Sequence, residues 1–479
     1  MANNIIFYFT DQQRWDTCGC YGQPLDITPN LDALAAEGVK FENAFSPQPV
    51  CGPCRALFQT GKYPTETGCF RNNVMLPKGV KTLGEYMEKD AGYETAYIGK
   101  WHLDGWRDGK HRAAFHIVPP ERRGGFDYWM GYENNNSQYD CYVHGGGEGY
   151  GEIPPTKLPG YESDCLTDIF LDHLKSIPED QPFFAVLSVQ PPHNPYVAPP
   201  RNTHFDPKAL KLKPNVPPDV PPYTKFVDYT RDGLANAYGM IENYDENIGR
   251  IIDYLKEKGL YENTHIMFFS DHGDTHGSHG QQRKTNPLEE SIRVPFIISG
   301  RKNSENTDHI GVKVPHLLAT IDVGPTTLGL CGIPVPQEWE GFDYSCVCRD
   351  PQCKEDFPTS AYLQNVIPEH HPHSVEFPWR GVVTDDGWKY VCLEGMPWML
   401  FNLNEDPYEL RNVAYCGVEK KKRAQMHRIL ADWIQRTGDK FTLPEIDDND
   451  DYIEHARDVF GYPTPEDQQN LREWCKPEA

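Results

Sequence analysis

Five short apolar runs, separated by segments of helical periodicity, constrain this chain more than any other feature of its sequence. They cover 4–10, 95–99, 183–189, 265–270 and 295–299. Runs this short and this uniformly apolar belong to strands buried on both faces. Between them, Thr28-Pro29 followed by Leu31, Leu34 and Ala35 and closed by Gly38 reads as an N-cap, a proline at N1, an apolar face and a C-terminal glycine. Thr82 and Glu85 have the spacing of a capping box that opens a helix toward Gly92. Ile241, Tyr244, Ile248, Ile251, Ile252 and Leu255 recur at helical spacing. Strands alternating with helices predict an α/β fold, a large and mostly parallel sheet sandwiched by helices.

The texture changes after about residue 355 of the 479. Segments 380–383 and 388–392 read as short strands around Asp385-Asp386-Gly387, a hairpin-type turn. Met426, Ile429, Leu430, Trp433 and Ile434 form one helix face. The expectation is two domains: a large α/β domain over 1–355, and a smaller α+β domain over 356–479 with a short antiparallel sheet and a polar acidic tail. The Asn-, Gly- and Tyr-rich stretch 134–150 reads as a long loop.

Charge narrows the partners. The formal net charge is −24, which disfavours nucleic acid and anionic membranes as general partners. An anionic small molecule stays possible, because a few local cations can hold one. No apolar run approaches the roughly 18 residues of a membrane span. The chain opens directly on a strand with no basic leader, so with Met1 as the native start it is expected in the cytoplasm. Most of its 14 cysteines are then reduced, and buried free thiols are their default reading.

In a parallel α/β sheet, ligands bind beyond the carboxyl ends of the strands. The first run leads into Asp11-Gln12, the second into Lys100-Trp101-His102. The third leads into Pro191-Pro192-His193, the fourth into Asp271-His272-Gly273-Asp274. A lone lysine or histidine at a strand end is usually just solvated; four such ends on one edge point to chemistry. Cys51-Gly52-Pro53-Cys54 has the form of a dithiol redox motif. A redox reading would need a compact domain around it, and no second Cys/His pair stands at zinc-finger spacing. The longer pattern, Cys51-x-Pro53-x-Arg55 continuing to Thr60-Gly61, is far more specific than Cys-x-x-Cys.

That pattern resembles the type I sulfatases of the alkaline phosphatase superfamily, and the likeness runs from Asp11 to about Leu410. It implies that Cys51 is oxidised to formylglycine by a maturase, and that a hydroxyl of the hydrated aldehyde is the nucleophile. Cys54 stands where many members have Ser. The resemblance further implies Asp11, Gln12, Cys51, Asp271 and His272 around a divalent metal. Oxygen-rich sites favour Ca²⁺, and the imidazole leaves Mn²⁺ or Mg²⁺ open. Arg55 then orients the nucleophile, Lys100 and Lys284 clamp the sulfate oxygens, His102 sits against the formylglycine, and His193 is the candidate general acid. Asn72 or Asn73 adds a further polar contact.

The implied activity is hydrolysis of a sulfate monoester. A phosphonate or phosphate ester hydrolase of the same superfamily is the alternative. More remote are a Cys51/Cys54 dithiol redox protein and an unmatured binding protein. Trp106, Arg107, Arg122, Arg123, His370, His371 and His373 lie in segments that can rim a pocket. For any one of them packing is the plainer role. As a set they favour a sulfated mono- or short oligosaccharide, with Trp101 and Trp106 as possible stacking surfaces for a sugar ring.

Overall fold

The computed structural model describes residues 3–106, 111–147, 151–219, 225–299, 311–350, 352–371, 374 and 376–445. Eleven strands form one large sheet: β1 (Asn4–Asp11), β2 (Val39–Phe45), β3 (Glu94–Lys100), β4 (Tyr128–Tyr132), β5 (Tyr142–Gly147), β6 (Ile153–Lys157), β7 (Phe183–Pro192), β8 (Thr264–Ser270), β9 (Arg293–Val294), β10 (Phe296–Ile298) and β11 (Val312–Ala319). Their order is β11-β2-β10-β8-β1-β7-β3-β4-β5-β6, with β9 pairing β2 off that path.

The centre is parallel, as expected. β1 pairs with β7 and β8, and β3 with β7 and β4, all in the same direction. Both faces are covered, so side chains of β1 alternate between two cores. Ile5, Phe7 and Phe9 enter one, Ile6 and Tyr8 the other, and none is more than 1% exposed. The long helix Phe226–Glu257 covers the second face with Ile241, Tyr244, Ile248 and Ile251. The Thr82–Glu85 capping box is present. Thr28 does not cap with its side chain; its hydroxyl takes the Gly19 N–H at 2.8 Å.

Two expectations fail. The run at 295–299 is a strand, but β10 lies antiparallel to both neighbours. Stretch 134–150 is not all loop, because 142–147 is β5, paired antiparallel to β4. β5 is glycine-rich where backbone approaches backbone: a Cβ on Gly147 would stand 2.3 Å from Asp127 O.

Beyond the large sheet, β12 (Ser360–Asn365), β13 (Trp379–Thr384), β14 (Trp388–Leu393) and β15 (Met396–Asn402) form an antiparallel sheet. Gly387, at φ +83°, turns the β13–β14 hairpin. Helix Lys420–Arg436 covers it with Met426, Leu430 and Ile434. The acidic tail falls outside the described residues. No helix among those described is long and apolar enough to cross a membrane.

Candidate active site

Parallel strands β8, β1, β7 and β3 are neighbours, so their carboxyl ends share one edge. That edge receives Asp11 and Gln12 from β1, Lys100 and His102 from β3, His193 from β7, and Asp271 and His272 from β8. Gly99 allows β3 to close on β7: its φ is +105°, and a Cβ there would lie 2.0 Å from Ser188 O. The fifth component is helix Cys51–Thr60, buried along its whole length. Asn72 Oδ1 accepts the Gly52 N–H at 2.9 Å, which satisfies one of the donors a helix start leaves open.

Cys51 Sγ lies 2.9 Å from Lys284 Nζ, 3.2 Å from His272 Nε2 and 3.4 Å from Asp11 Oδ1. Asp11 Oδ2 receives Lys100 Nζ at 2.7 Å and Arg55 Nη2 at 3.1 Å. Arg55 also donates to Asp271 Oδ2 through Nε at 3.2 Å, and through Nη1 to Lys100 O at 2.7 Å and Ser188 Oγ at 2.9 Å. Its fork thus ties both carboxylates to two strands, which a lysine could not do. Lys284 is 1% exposed. Its Nζ touches Cys51 and, at 3.2 Å, His193 Nε2; among the described residues it has no carboxylate partner.

The imidazoles are oriented by backbone. His272 Nδ1 faces Gly273 O at 3.0 Å, and His193 Nδ1 faces Asn194 O at 2.5 Å. A carbonyl only accepts, so each Nδ1 carries the proton and each Nε2 turns a lone pair to the site. Burial, reinforced by the nearby lysines, keeps His102, His193 and His272 neutral. Both ring nitrogens of His102 are buried without a hydrogen-bond partner. Burial opposes ionisation of Asp11, but the charges of Lys100, Lys284 and Arg55 together hold it well below the usual carboxylate range. Burial, then the Asp11 charge, pushes Asp271 up. Gln12, His102, Arg283 and Thr285 all have φ between +61° and +76°. Such backbone costs about 1–3 kcal/mol per residue and persists where the surroundings over-determine it.

Asp11, Cys51, Asp271 and His272 present ligand atoms within 4.8 Å of one another, all buried. Gln12 Oε1, beside them in the chain, is buried with no partner. Like-charged carboxylates, an inward-facing imidazole lone pair and an orphaned amide oxygen form a donor set that fits a divalent cation.

The dithiol reading finds no paired thiols here: Cys51 and Cys54 are both free. Cys54 Sγ faces Thr320 Oγ1 at 3.2 Å, and burial followed by the Asp11 charge pushes the Cys51 thiol up to about 11. A redox dithiol needs the opposite shift.

The rim residues divide. Asn72 is spent on the helix start and takes Glu369 Oε1 on its own N–H at 2.6 Å. Asn73 is half-buried, at φ +58°. His371 contacts Glu376 at 2.6 Å, and Thr285, next to Lys284, contacts the same carboxylate at 3.0 Å. His370 is exposed and Trp106 half-buried. Arg107 and His373 lie outside the described residues. Trp101 is not a stacking platform; at 1% exposure it packs edge-on against Tyr97 and Phe126. Arg122 is bonded to Asp104 at 2.8 Å and Arg123 to Glu152 at 2.6 Å, so both serve loop structure. Sequence reasoning does not single out Asp274 or Ser188, although both touch the functional cluster.

The family models and the most similar curated relatives point to one family. The Sulfatase model matches residues 3–333, and a second model, N-sulphoglucosamine sulphohydrolase, C-terminal, matches 277–436. The ulvan-active sulfatase of Formosa agariphila is 35% identical over 477 residues, covering 96% of this chain and 86% of that protein. The N-acetylglucosamine-6-O-sulfatase of Bacteroides thetaiotaomicron is 27% identical, with 89% and 85% covered. A crystal structure of the yidJ protein from Bacteroides fragilis superposes with a TM-score of 0.81 at 29% identity, covering 92% of this chain and 97% of that one. The chain with this strand-end cluster therefore belongs to the sulfatase family and is a sulfuric ester hydrolase.

Proposed function

We propose that this enzyme removes sulfate from a carbohydrate, a sulfated mono- or short oligosaccharide, with residue 51 as the nucleophile after a maturase has oxidised Cys51 to formylglycine. The observation that carries the sulfate reading is Lys284, a buried ammonium with no carboxylate partner among the described residues, 2.9 Å from Cys51 Sγ. A buried cation left unpaired is costly unless an anion completes it. The carbohydrate reading is supported by the ulvan-active and N-acetylglucosamine-6-O-sulfatase relatives.

Asp11, Gln12, Asp271 and His272, with residue 51, would hold the metal; Ca²⁺ suits the oxygen-rich set, and Mn²⁺ or Mg²⁺ are compatible with the imidazole. When bound, the metal withdraws charge from coordinated oxygen and lowers the pKa of a hydroxyl. Formylglycine supplies a hydrated aldehyde, one hydroxyl to attack sulfur and a second through which sulfate later leaves.

The chain's own residues do the rest. Arg55 fixes Asp11 and Asp271 relative to the helix that carries residue 51. Lys100 and Lys284 hold the equatorial oxygens, where preorganised cations meet charge as it develops. The sulfate monoester anion, lodged between Lys284 and His193, raises the imidazole's affinity for a proton, which Nε2 takes up from solvent as the substrate binds. His193 Nε2 then passes that proton to the leaving sugar oxygen, its ring held by Asn194 O. His102, lacking internal partners, is left to bond residue 51. His370, His371 and Trp106 would meet the sugar, with Asn73 a further polar contact. We place the domain boundary near residue 355, so that the sheet starting at Ser360 closes the substrate side.

The test is sulfate release, followed by ion chromatography, from sulfated monosaccharides and short glycans beside aryl sulfate, choline sulfate and phosphonate monoesters. Sulfated sugars should turn over with the highest kcat/KM. Turnover confined to choline or aryl sulfate would overturn the carbohydrate assignment, and preference for a phosphonate ester would favour the superfamily alternative.

A further inference from the structure

Asp274 is fully buried, and its carboxylate receives four donors. Oδ1 accepts the backbone N–H groups of His276 at 3.0 Å and Arg283 at 2.9 Å. Oδ2 accepts the Tyr196 hydroxyl and, at 2.6 Å, the side chain of Gln12. An acceptor so committed fixes chemistry on the other side: the Gln12 atom that faces it is the amide nitrogen. The remaining Gln12 N–H points to Asn194 Oδ1 at 3.3 Å. The backbone of Gln12 is pinned as well, its N–H on Asp271 Oδ1 at 3.1 Å and its φ at +68°. What is left over is Oε1, buried and unpartnered.

We propose that Asp274 is a positioning residue for cation binding, fixing the Gln12 amide so that its oxygen and not its NH₂ is offered to the metal with Asp11, Asp271 and His272. This rests on the metal reading above. The same carboxylate holds the N–H of Arg283, the residue before Lys284, so one buried anion orients both a metal ligand and the root of the cation that meets sulfate. A metal ligand held by an outer partner typically loses about 10- to 100-fold in affinity when that partner is removed.

The experiment is calorimetric titration of Ca²⁺ and Mn²⁺ into metal-stripped full-length protein. Gln12→Ala should weaken binding; if it does not, the metal reading itself is wrong. Asp274→Asn should weaken binding about 10- to 100-fold, because the new NH₂ draws the Gln12 oxygen toward itself. Gln12→Glu alone should also weaken binding, although a carboxylate is ordinarily the better ligand for a hard cation, because it meets Asp274 at hydrogen-bond distance. Combining Gln12→Glu with Asp274→Asn should restore affinity, a rescue that a purely structural role would not give. With Gln12→Ala weakened, wild-type affinity in Asp274→Asn, or tighter binding in Gln12→Glu, would overturn the proposal. The Gln12→Glu arm decides it even if Asp274→Asn fails to fold.

Discussion

Replacing Lys284 by Met should separate catalysis from folding. The ammonium is 1% exposed, and its contacts are Cys51 Sγ at 2.9 Å and His193 Nε2 at 3.2 Å. Neither partner is a carboxylate, so Lys284→Met breaks no buried ion pair; it withdraws one of the charges around Asp11, which keeps Lys100 and Arg55, and removes a desolvation cost. Its apparent Tm should stay near that of the parent. The transition state, by contrast, loses one preorganised cation, a loss of about 2.7–4 kcal/mol, or about 10²- to 10³-fold in kcat. Lys100→Met is the internal contrast. Asp11 Oδ2 would lose its 2.7 Å partner and keep only Arg55 at 3.1 Å. Breaking a buried pair by removing one partner costs about 3–5 kcal/mol, so that variant should lose stability and activity together. Initial rates of sulfate release and thermal unfolding by circular dichroism read both quantities. Lys284→Met with near-parental kcat/KM, or with a Tm loss as large as that of Lys100→Met, would refute the assignment of Lys284 to the substrate anion.

Further outcomes follow from the same structure. Lys389, fully buried, bonds Pro287 O at 2.7 Å and Glu289 at 3.1 Å, and pairs with Glu409; Lys389→Met should cost about 3–5 kcal/mol, read as a lowered Tm. His144 Nε2 accepts the Val118 N–H at 2.8 Å, and burial followed by Arg123 lowers its pKa to about 4. The unfolded chain, near 6.5, therefore takes the proton first, so this stability is whole above about pH 6.5 and is lost as pH falls toward 4. His144→Gln keeps an acceptor and should flatten that acid limb by up to about 3 kcal/mol, measured as Tm against pH. Chelation should abolish turnover of the parent enzyme, and added Ca²⁺ or Mn²⁺ should restore it with unchanged secondary structure by circular dichroism.

The strand ends were legible because buried parallel strands leave unbroken apolar runs, and the residue after each run marks the sheet edge where ligands bind. Asp11, Lys100, His193 and Asp271 are readable that way. Direction is not: the run that forms β10 is as apolar as its neighbours, and only its pairing with β2 and β8 makes it antiparallel. β5 was hidden for the opposite reason. Its Tyr-Val-His-Gly-Gly-Gly sequence has weak strand preference, and pairing with β4 decides its conformation. Trp101 and Arg122 show the limit for rim residues. A tryptophan after a strand end suits a core or a sugar equally well, and an arginine's partner, here Asp104, cannot be read from spacing. Asp274 stood in plain view three residues after Asp271, yet its role depends on a Gln12 side chain 262 positions away.

The central claim is that residue 51 is a formylglycine nucleophile for sulfate esters. Its most direct test is the mass of the proteolytic peptide spanning residue 51, from active protein produced alongside a formylglycine-generating maturase. The account predicts a peptide in which sulfur is replaced by oxygen with loss of two hydrogens, and which forms a hydrazone. An unmodified Cys51 in a preparation that turns over sulfate esters at full rate, or a Cys51–Cys54 disulfide in that preparation, would contradict it.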